Sequence, residues 1–334
     1  MEQIALALRD PSAVAQARRG ASELALRLGF DAHGSANVAL AVTECATNVI
    51  KHAGEGTMLF RPLVNSDVAG IEVLSIDKGP GMASVPQSMR DGYSTAGSPG
   101  LGLGALSRLT SNFEMFTQAG SGTVLRFEMW RNGVEGRRNG LDVGAVCLPK
   151  PGESVSGDDW TTHAERGRHL LVVADGLGHG PDAAAASRSA CETAITHFAA
   201  APVEQMGFMH AALRPTRGAA AAVVTLLPHR ESGAMCGVGN ISASTRIEGK
   251  SRSLVSHNGT LGHAMRKAQE FTFPFPHNGL LILHSDGVST HWNLDKYPGL
   301  EGRHPATIAA VIYRDFVRGN DDATVVVVRA RASA

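Results

Sequence analysis

The chain has no net charge: 31 lysines and arginines face 31 aspartates and glutamates across 334 residues. Such a balance leaves no electrostatic footprint for nucleic acid or an anionic membrane, so neither is expected as a partner. Cysteine is scarce and dispersed. Cys45, Cys147, Cys191 and Cys236 form no CxxC pair, which argues against a disulfide framework or zinc and predicts reduced thiols in a cytoplasmic protein. No apolar run is long enough to span a bilayer, and no basic-then-apolar leader opens the chain. Aromatic residues are only 5% of the chain, whereas glycine is abundant at 38 residues. Repeats and low-complexity segments are missing as well. What is left is the composition of a soluble globular protein, long enough for two domains with separate cores.

The most informative stretch is His169–Gly180, HLLVVADGLGHG. An apolar run with the content of a strand buried on both faces stops at Asp175-Gly176, and an alanine-rich helix follows from Asp182. By itself this reads equally well as a strand-to-helix turn with an aspartate cap. The arrangement recurs in LLILHSDGV, where Asp286-Gly287 ends a second apolar run. Asn320-Asp321-Asp322 precedes a terminal strand, and Gly157-Asp158-Asp159 lies upstream. Acidic groups at four strand ends, distant in sequence, point to one site. Converging carboxylates suit two hard divalent cations such as Mn²⁺ or Mg²⁺, and such a pair activates water and clamps a phosphoryl group.

The order GD, ADGLGHG, SDGV, DDATVVVV over about Leu141–Arg329 resembles the metal-dependent serine/threonine phosphatases, the PPM family, in its SpoIIE and RsbX branch. That resemblance implies metal carboxylates at Asp158, Asp175, Asp286 and Asp321, with a backbone carbonyl from Gly176. It makes Asp175 and Asp286 central to catalysis. The chain departs from the pattern at Ser289-Thr290, where many members carry an acidic residue. The resemblance also implies an α/β/β/α sandwich, and the element pattern agrees: two helices after an early strand, then mostly strands.

The N-terminal part reads as a strand over Gln3–Leu8, a helix over Pro11–Leu28 and a longer helix from Asp31–Ser35 to about Ala53. In the second helix TECATNVIKHAG puts Glu44, Asn48, Lys51 and His52 on one face, yet among apolar neighbours. Two strands follow, and the second ends in DKGPGM, a glycine turn that lets a flat ligand approach the backbone. GSPGLGLGAL then runs into a helix whose first N–H groups suit phosphate. Taken with GSGTVL, the set resembles the GHKL ATP-binding fold, and within it the RsbT-like serine kinases, over about Met1–Trp130. The whole chain is thus expected to be α+β.

By this resemblance Asn48 holds Mg²⁺, Glu44 is the base and Asp77 accepts from the adenine amino group. Gly79 and Gly81 line the adenine, Gly100, Gly102 and Gly104 form the lid, and Thr123 lies near the base. Lys51 is counted with the nucleotide-binding residues. The polar, glycine-rich segment 132–140 is read as a linker between a kinase-like domain, 1–131, and a phosphatase domain, 141–334. The expected cofactors are ATP with Mg²⁺ for the first domain and two Mn²⁺ or Mg²⁺ for the second. The expected partner is a STAS-type anti-sigma-factor antagonist or related phosphoprotein, with a sigma-factor regulatory complex beyond it. A rival reading makes the N-terminal domain a non-catalytic module that senses ATP or sequesters a partner. His179 and His284 sit close to the acidic turns; Asn240 lines the cleft or caps a turn; Arg108 reaches the γ-phosphate or is solvated.

Overall fold

The structure is a computed structural model that describes residues 3–65, 68–82, 102–136 and 140–331. Its contacts divide the chain into two compact units, with the division between Arg138 and Asn139. Among the described residues, no helix is long and apolar enough to cross a membrane.

The N-terminal unit contains β1 (Ile4–Leu8), α1 (Pro11–Arg27), α2 (Ala32–His52), β2 (Gly56–Asn65) and β3 (Val68–Asp77). It continues with α3 (Gly102–Leu109), β4 (Ser111–Thr117) and β5 (Thr123–Trp130). Both long helices begin at an aspartate cap: Asp10 accepts from the Ser12 amide at 2.8 Å and Asp31 from the Gly34 amide at 2.7 Å. Each cap satisfies an amide that the first turn leaves open, and Pro11 needs no such partner. Small apolar residues at helical spacing, Ala13, Ala17, Ala21 and Leu24 on α1 and Val38, Ala41, Cys45 and Val49 on α2, face the core. They pack on Phe60, Val73 and Phe127 of an antiparallel sheet ordered β1-β2-β3-β5-β4. The β4–β5 hairpin is the part that periodicity hides. Its pairing shifts between Ser111 and Glu114 beside Asn112 at φ 50°, so the alternation of β4 is broken.

The C-terminal unit is two stacked five-stranded antiparallel sheets. One, ordered β13-β10-β9-β8-β7, comprises β7 (Asp158–Glu165), β8 (Arg168–Gly176), β9 (Ala219–Leu227), β10 (Ser232–Val238) and β13 (Glu270–Pro274). The other, ordered β12-β11-β14-β15-β6, comprises β6 (Leu141–Leu148), β11 (Ser242–Ile247), β12 (Lys250–Leu254), β14 (Leu280–His284) and β15 (Ala323–Ala330). Helices α4 (Pro181–Thr196) and α5 (Pro202–Ala212) lie on the first sheet, and α6 (Pro305–Phe316) lies on β6 and β15 of the second.

The unbroken apolar run of β8 has a direct cause. Leu171 and Val173 point between the sheets, toward Leu283 and Val326, while Leu170, Val172 and Ala174 point toward the alanines of α4. A strand covered on both faces needs apolar residues at every position. Ala183, Ala186, Ala190 and Ala194 are fully buried on α4, and their small side chains let the helix sit close to the sheet. Strand β7 was not evident as a strand in the sequence, because Asp158-Asp159 and Thr161-Thr162 disguise it.

Candidate functional sites

In the C-terminal unit the strand ends gather the carboxylates. Asp158 begins β7 and Asp175 ends β8, and the two are direct cross-strand partners. Asp286 follows β14 and Asp321 precedes β15, and these are neighbouring strands of the opposite sheet. Each group is held by its surroundings. Asp158, 4% exposed, accepts from the Ser285 hydroxyl at 2.6 Å. Ser285 Oγ in turn accepts from the Thr324 amide at 3.0 Å, tying the β14 end to β15. Asn240 donates to Asp286 Oδ2 at 2.7 Å, so it lines the cleft. The Asp322 amide donates to Asp321 Oδ1 at 2.9 Å, and Asp322 Oδ1 accepts from the Lys150 amide at 2.8 Å. Gly176 has no room for a side chain: a Cβ there would collide with the Ala183 carbonyl oxygen of α4.

The electrostatics express this crowding. Burial, and then the charges of Asp158, Asp286, Asp321 and Asp322, push the Asp175 carboxyl up to about 9. Burial pushes Asp158 up to about 7, with Asp322 and Asp321 adding to it and the Ser285 hydroxyl opposing. Asp175, Asp286 and Asp321 line a cleft of about 420 Å³ together with Asn240, His179 and Lys150. His179 pairs with Glu153 at 2.7 Å and is half exposed. His284 is buried and donates from Nδ1 to the Ser285 carbonyl at 2.9 Å, and burial lowers its pKa. The reading of the motifs missed Ser285 and Asp322 as supports. The doubled aspartate was visible, but only the fold shows which of the pair turns inward.

The N-terminal unit assembles its glycine turn against the β4–β5 hairpin. Asp77 Oδ1 accepts from the Gly79 amide at 2.9 Å and from the Thr123 amide at 3.1 Å. Gly81 adopts φ 65°, and a Cβ there would strike the Gln118 backbone, so glycine is required. The Met82 amide donates to Thr117 Oγ1 at 2.9 Å, which clasps the turn further. Gly79 lies against Ala53 at the C-cap of α2. Glu44 and Asn48 are half-buried on α2 and Lys51 is exposed beside them. Cys45, between the first two, is hydrogen-bonded to Ser75 and feels the charge of Asp77; burial pushes its thiol up to about 12. Gly102 opens α3 and Gly104 is buried within it, where the helix packs on α2. Arg108 is exposed in the last turn of α3. Gly100 lies outside the described residues.

Comparison with known proteins agrees with both folds. Residues 8–129 match the histidine kinase-like ATPase domain family, and residues 165–331, half of the chain, match the family of stage II sporulation protein E (SpoIIE). The chain belongs to the SpoIIE family of PPM phosphatases, here preceded by a histidine kinase-like ATPase domain. The serine/threonine-protein kinase RsbT of Bacillus subtilis is 31% identical over 117 residues, covering 35% of this chain and 88% of that protein. The phosphoserine phosphatase RsbX of the same organism is 27% identical over 144 residues, covering 42% of this chain and 72% of that protein. A chain solved in work on the bacterial stressosome aligns with a TM-score of 0.54 and 26% identity, covering 57% of this chain and 99% of its own.

Proposed function

We propose that this protein is a bifunctional cytoplasmic regulator of the partner-switching kind. Its N-terminal unit, residues 1–131, phosphorylates serine or threonine on a STAS-type anti-sigma-factor antagonist; its C-terminal unit, residues 141–334, removes that phosphate. The observation that carries the reading is the convergence of Asp158, Asp175, Asp286 and Asp321 at one end of the sandwich, in a chain that also carries Asn48, Asp77 and their glycine turn. The two relatives supply the opposed activities: one is named a kinase and the other a phosphoserine phosphatase.

The donor set fits hard divalent cations. Mutually repelling carboxylates that offer oxygen donors are what Mg²⁺ and Mn²⁺ require. Asp175, Asp286, Asp321, Asp158 and the Gly176 carbonyl are the proposed ligands. When bound, such ions supply activated water and neutralise phosphoryl oxygens. The chain's own contribution is positioning: Asn240 orients Asp286, and Ser285 orients Asp158.

In the other unit Asp77 reads the adenine amino group and Thr123 stands beside it, with Gly79 and Gly81 against the base and Gly100, Gly102 and Gly104 over the phosphates. Asn48 holds Mg²⁺ and Lys51 assists at the phosphates. Glu44, one helical turn from Asn48, takes the proton from the target hydroxyl. A carboxylate at that place favours catalysis over a purely nucleotide-sensing module.

The test is phosphate transfer to a STAS-domain protein in an Asp286→Asn background, which silences hydrolysis. Label should accumulate on the target. Adding Glu44→Ala should leave Mg·ATP binding intact and lower transfer by ~10²–10⁴, the scale of a lost general base. Adding Asn48→Ala should weaken metal-dependent ATP binding too. A background protein that binds ATP but labels no STAS protein, with Glu44→Ala changing nothing, would show the N-terminal unit to be a docking module.

A further inference from the structure

Lys150 stands at the head of a rigid turn. In Pro149-Lys150-Pro151-Gly152-Glu153 the prolines fix φ on either side of the lysine, and a residue before proline is confined to extended backbone. Gly152 takes φ 95°, and the Glu153 amide donates to the Lys150 carbonyl at 3.0 Å. That is the pattern of a type II turn with proline and glycine at its centre. The Lys150 amide is itself held, by Asp322 Oδ1 at 2.8 Å. The turn thus sets two side chains at the carboxylate cleft. Lys150 lines it, and Glu153 reaches His179, another lining residue, at 2.7 Å.

Among the described residues that line the cleft, Lys150 is the only lysine or arginine. It shares the cleft with Asp175, Asp286 and Asp321 and pairs with none of them; among the described residues its ammonium has neither a hydrogen bond nor an ion pair. The neighbouring basic groups are already engaged. His179 is on Glu153, and Arg217, which lies beside Gly178, is on Asp182 at 2.6 Å. A lysine placed to steady the carboxylates would pair with one of them. This one keeps a fixed backbone, a four-carbon stem and three donors free to turn. The cleft's carboxylates repel any anion that does not itself bind hard cations. A phosphoryl group does bind them, and its terminal oxygens also suit an ammonium.

We propose that the Lys150 ammonium binds a terminal oxygen of the substrate's phosphoryl group, whatever group carries the phosphate. The inference rests on the phosphatase reading of the cleft and adds to it a residue outside the carboxylate set. It can be tested on the full chain with Mn²⁺, using p-nitrophenyl phosphate as substrate and orthophosphate as competitor. Lys150→Met keeps most of the stem and removes the charge. KM for the substrate and Ki for orthophosphate should each rise about 10–100-fold, the scale of one charge-assisted hydrogen bond. The Mn²⁺ concentration for half-maximal turnover should stay within about twofold, and kcat should change less than KM. Lys150→Arg keeps the charge and should recover much of the loss. Thermal melting in saturating Mn²⁺ reads binding without turnover: orthophosphate should raise the Tm of the wild type and leave that of Lys150→Met unmoved. An unchanged Ki in Lys150→Met would overturn the assignment. So would a Mn²⁺ requirement that rises in step with KM, or a Lys150→Arg variant as impaired as Lys150→Met. A wild-type protein that neither hydrolyses the substrate nor responds to orthophosphate in melting would remove the phosphatase reading and the lysine's role with it.

Discussion

Ser285 shows how much one hydroxyl can organise. It donates to Asp158 at 2.6 Å and accepts from the Thr324 amide at 3.0 Å, so a single atom links a carboxylate of one sheet to the backbone of the other. It is a positioning residue, because it acts through Asp158. Ser285→Ala removes the hydrogen bond that favours the charged form of Asp158 and leaves the Thr324 amide buried without its acceptor. If Asp158 is a metal ligand as proposed, the Mn²⁺ concentration for half-maximal hydrolysis of p-nitrophenyl phosphate should rise roughly 10–100-fold, the usual cost of losing a support behind such a ligand. Ser285→Thr retains the hydroxyl and should recover part of the loss. An unshifted metal titration in Ser285→Ala would show that Asp158 is held by other means.

At the scale of elements, the site is made from the ends of four strands in two sheets. Stacking those sheets buries carboxylates close to one another, and burial first, with mutual repulsion added to it, holds their protons on. In the metal-free protein Asp175 is pushed up to about 9 and Asp158 to about 7, from an ordinary 3.8. The folded chain therefore keeps protons that the unfolded chain has already released above its ordinary value. Raising the pH through that window pulls those protons off only the folded form, so stability falls as pH rises toward about 9. Thermal melting in chelator should give a lower Tm at about pH 8.5 than at about pH 6. Saturating Mn²⁺ should raise Tm more at the higher pH, because protons then compete less for the same oxygens. A chelated protein whose Tm climbs across this range, with no metal-dependent gain, would contradict a clustered site.

For the whole molecule, the proposed reading gives two units with separate cores chemistries that undo each other. Wild-type protein with Mg·ATP, Mn²⁺ and a STAS-domain target should release ADP and phosphate continuously while little phosphoprotein accumulates. Asp286→Asn should convert that cycle into a single burst: ADP formed in stoichiometric amount with the target, and the label retained. A coupled ADP assay run beside radiolabel transfer distinguishes the two. Continuous ADP release that is unchanged by Asp286→Asn would mean that ATP hydrolysis in the N-terminal unit is not linked to the phosphatase site.

Much of this was legible in the chain itself. The β8 run, the two Asp-Gly ends and the TECATNVIKHAG helix declare themselves because burial on both faces, tight turns and helical period are local constraints written in neighbouring residues. Pro11 and Asp31 mark the starts of α1 and α2 for the same reason. The β4–β5 hairpin and β7 did not declare themselves, since a bulge and a run of polar residues break the alternation that makes strands visible. The supporting roles of Ser285 and Asp322 lay out of reach, and Asn240 could be read only as lining the cleft or capping a turn. Each depends on a partner in another strand: Ser285 on Asp158, Asn240 on Asp286, Asp322 on the Lys150 amide. Residue types and local period determined which carboxylates and glycines the protein has at its turns. Only the stacking of the two sheets decided that Asp175, Asp286 and Asp321 share one cleft with Asp158 paired across the strand from Asp175, because distance between strand ends is set by tertiary packing.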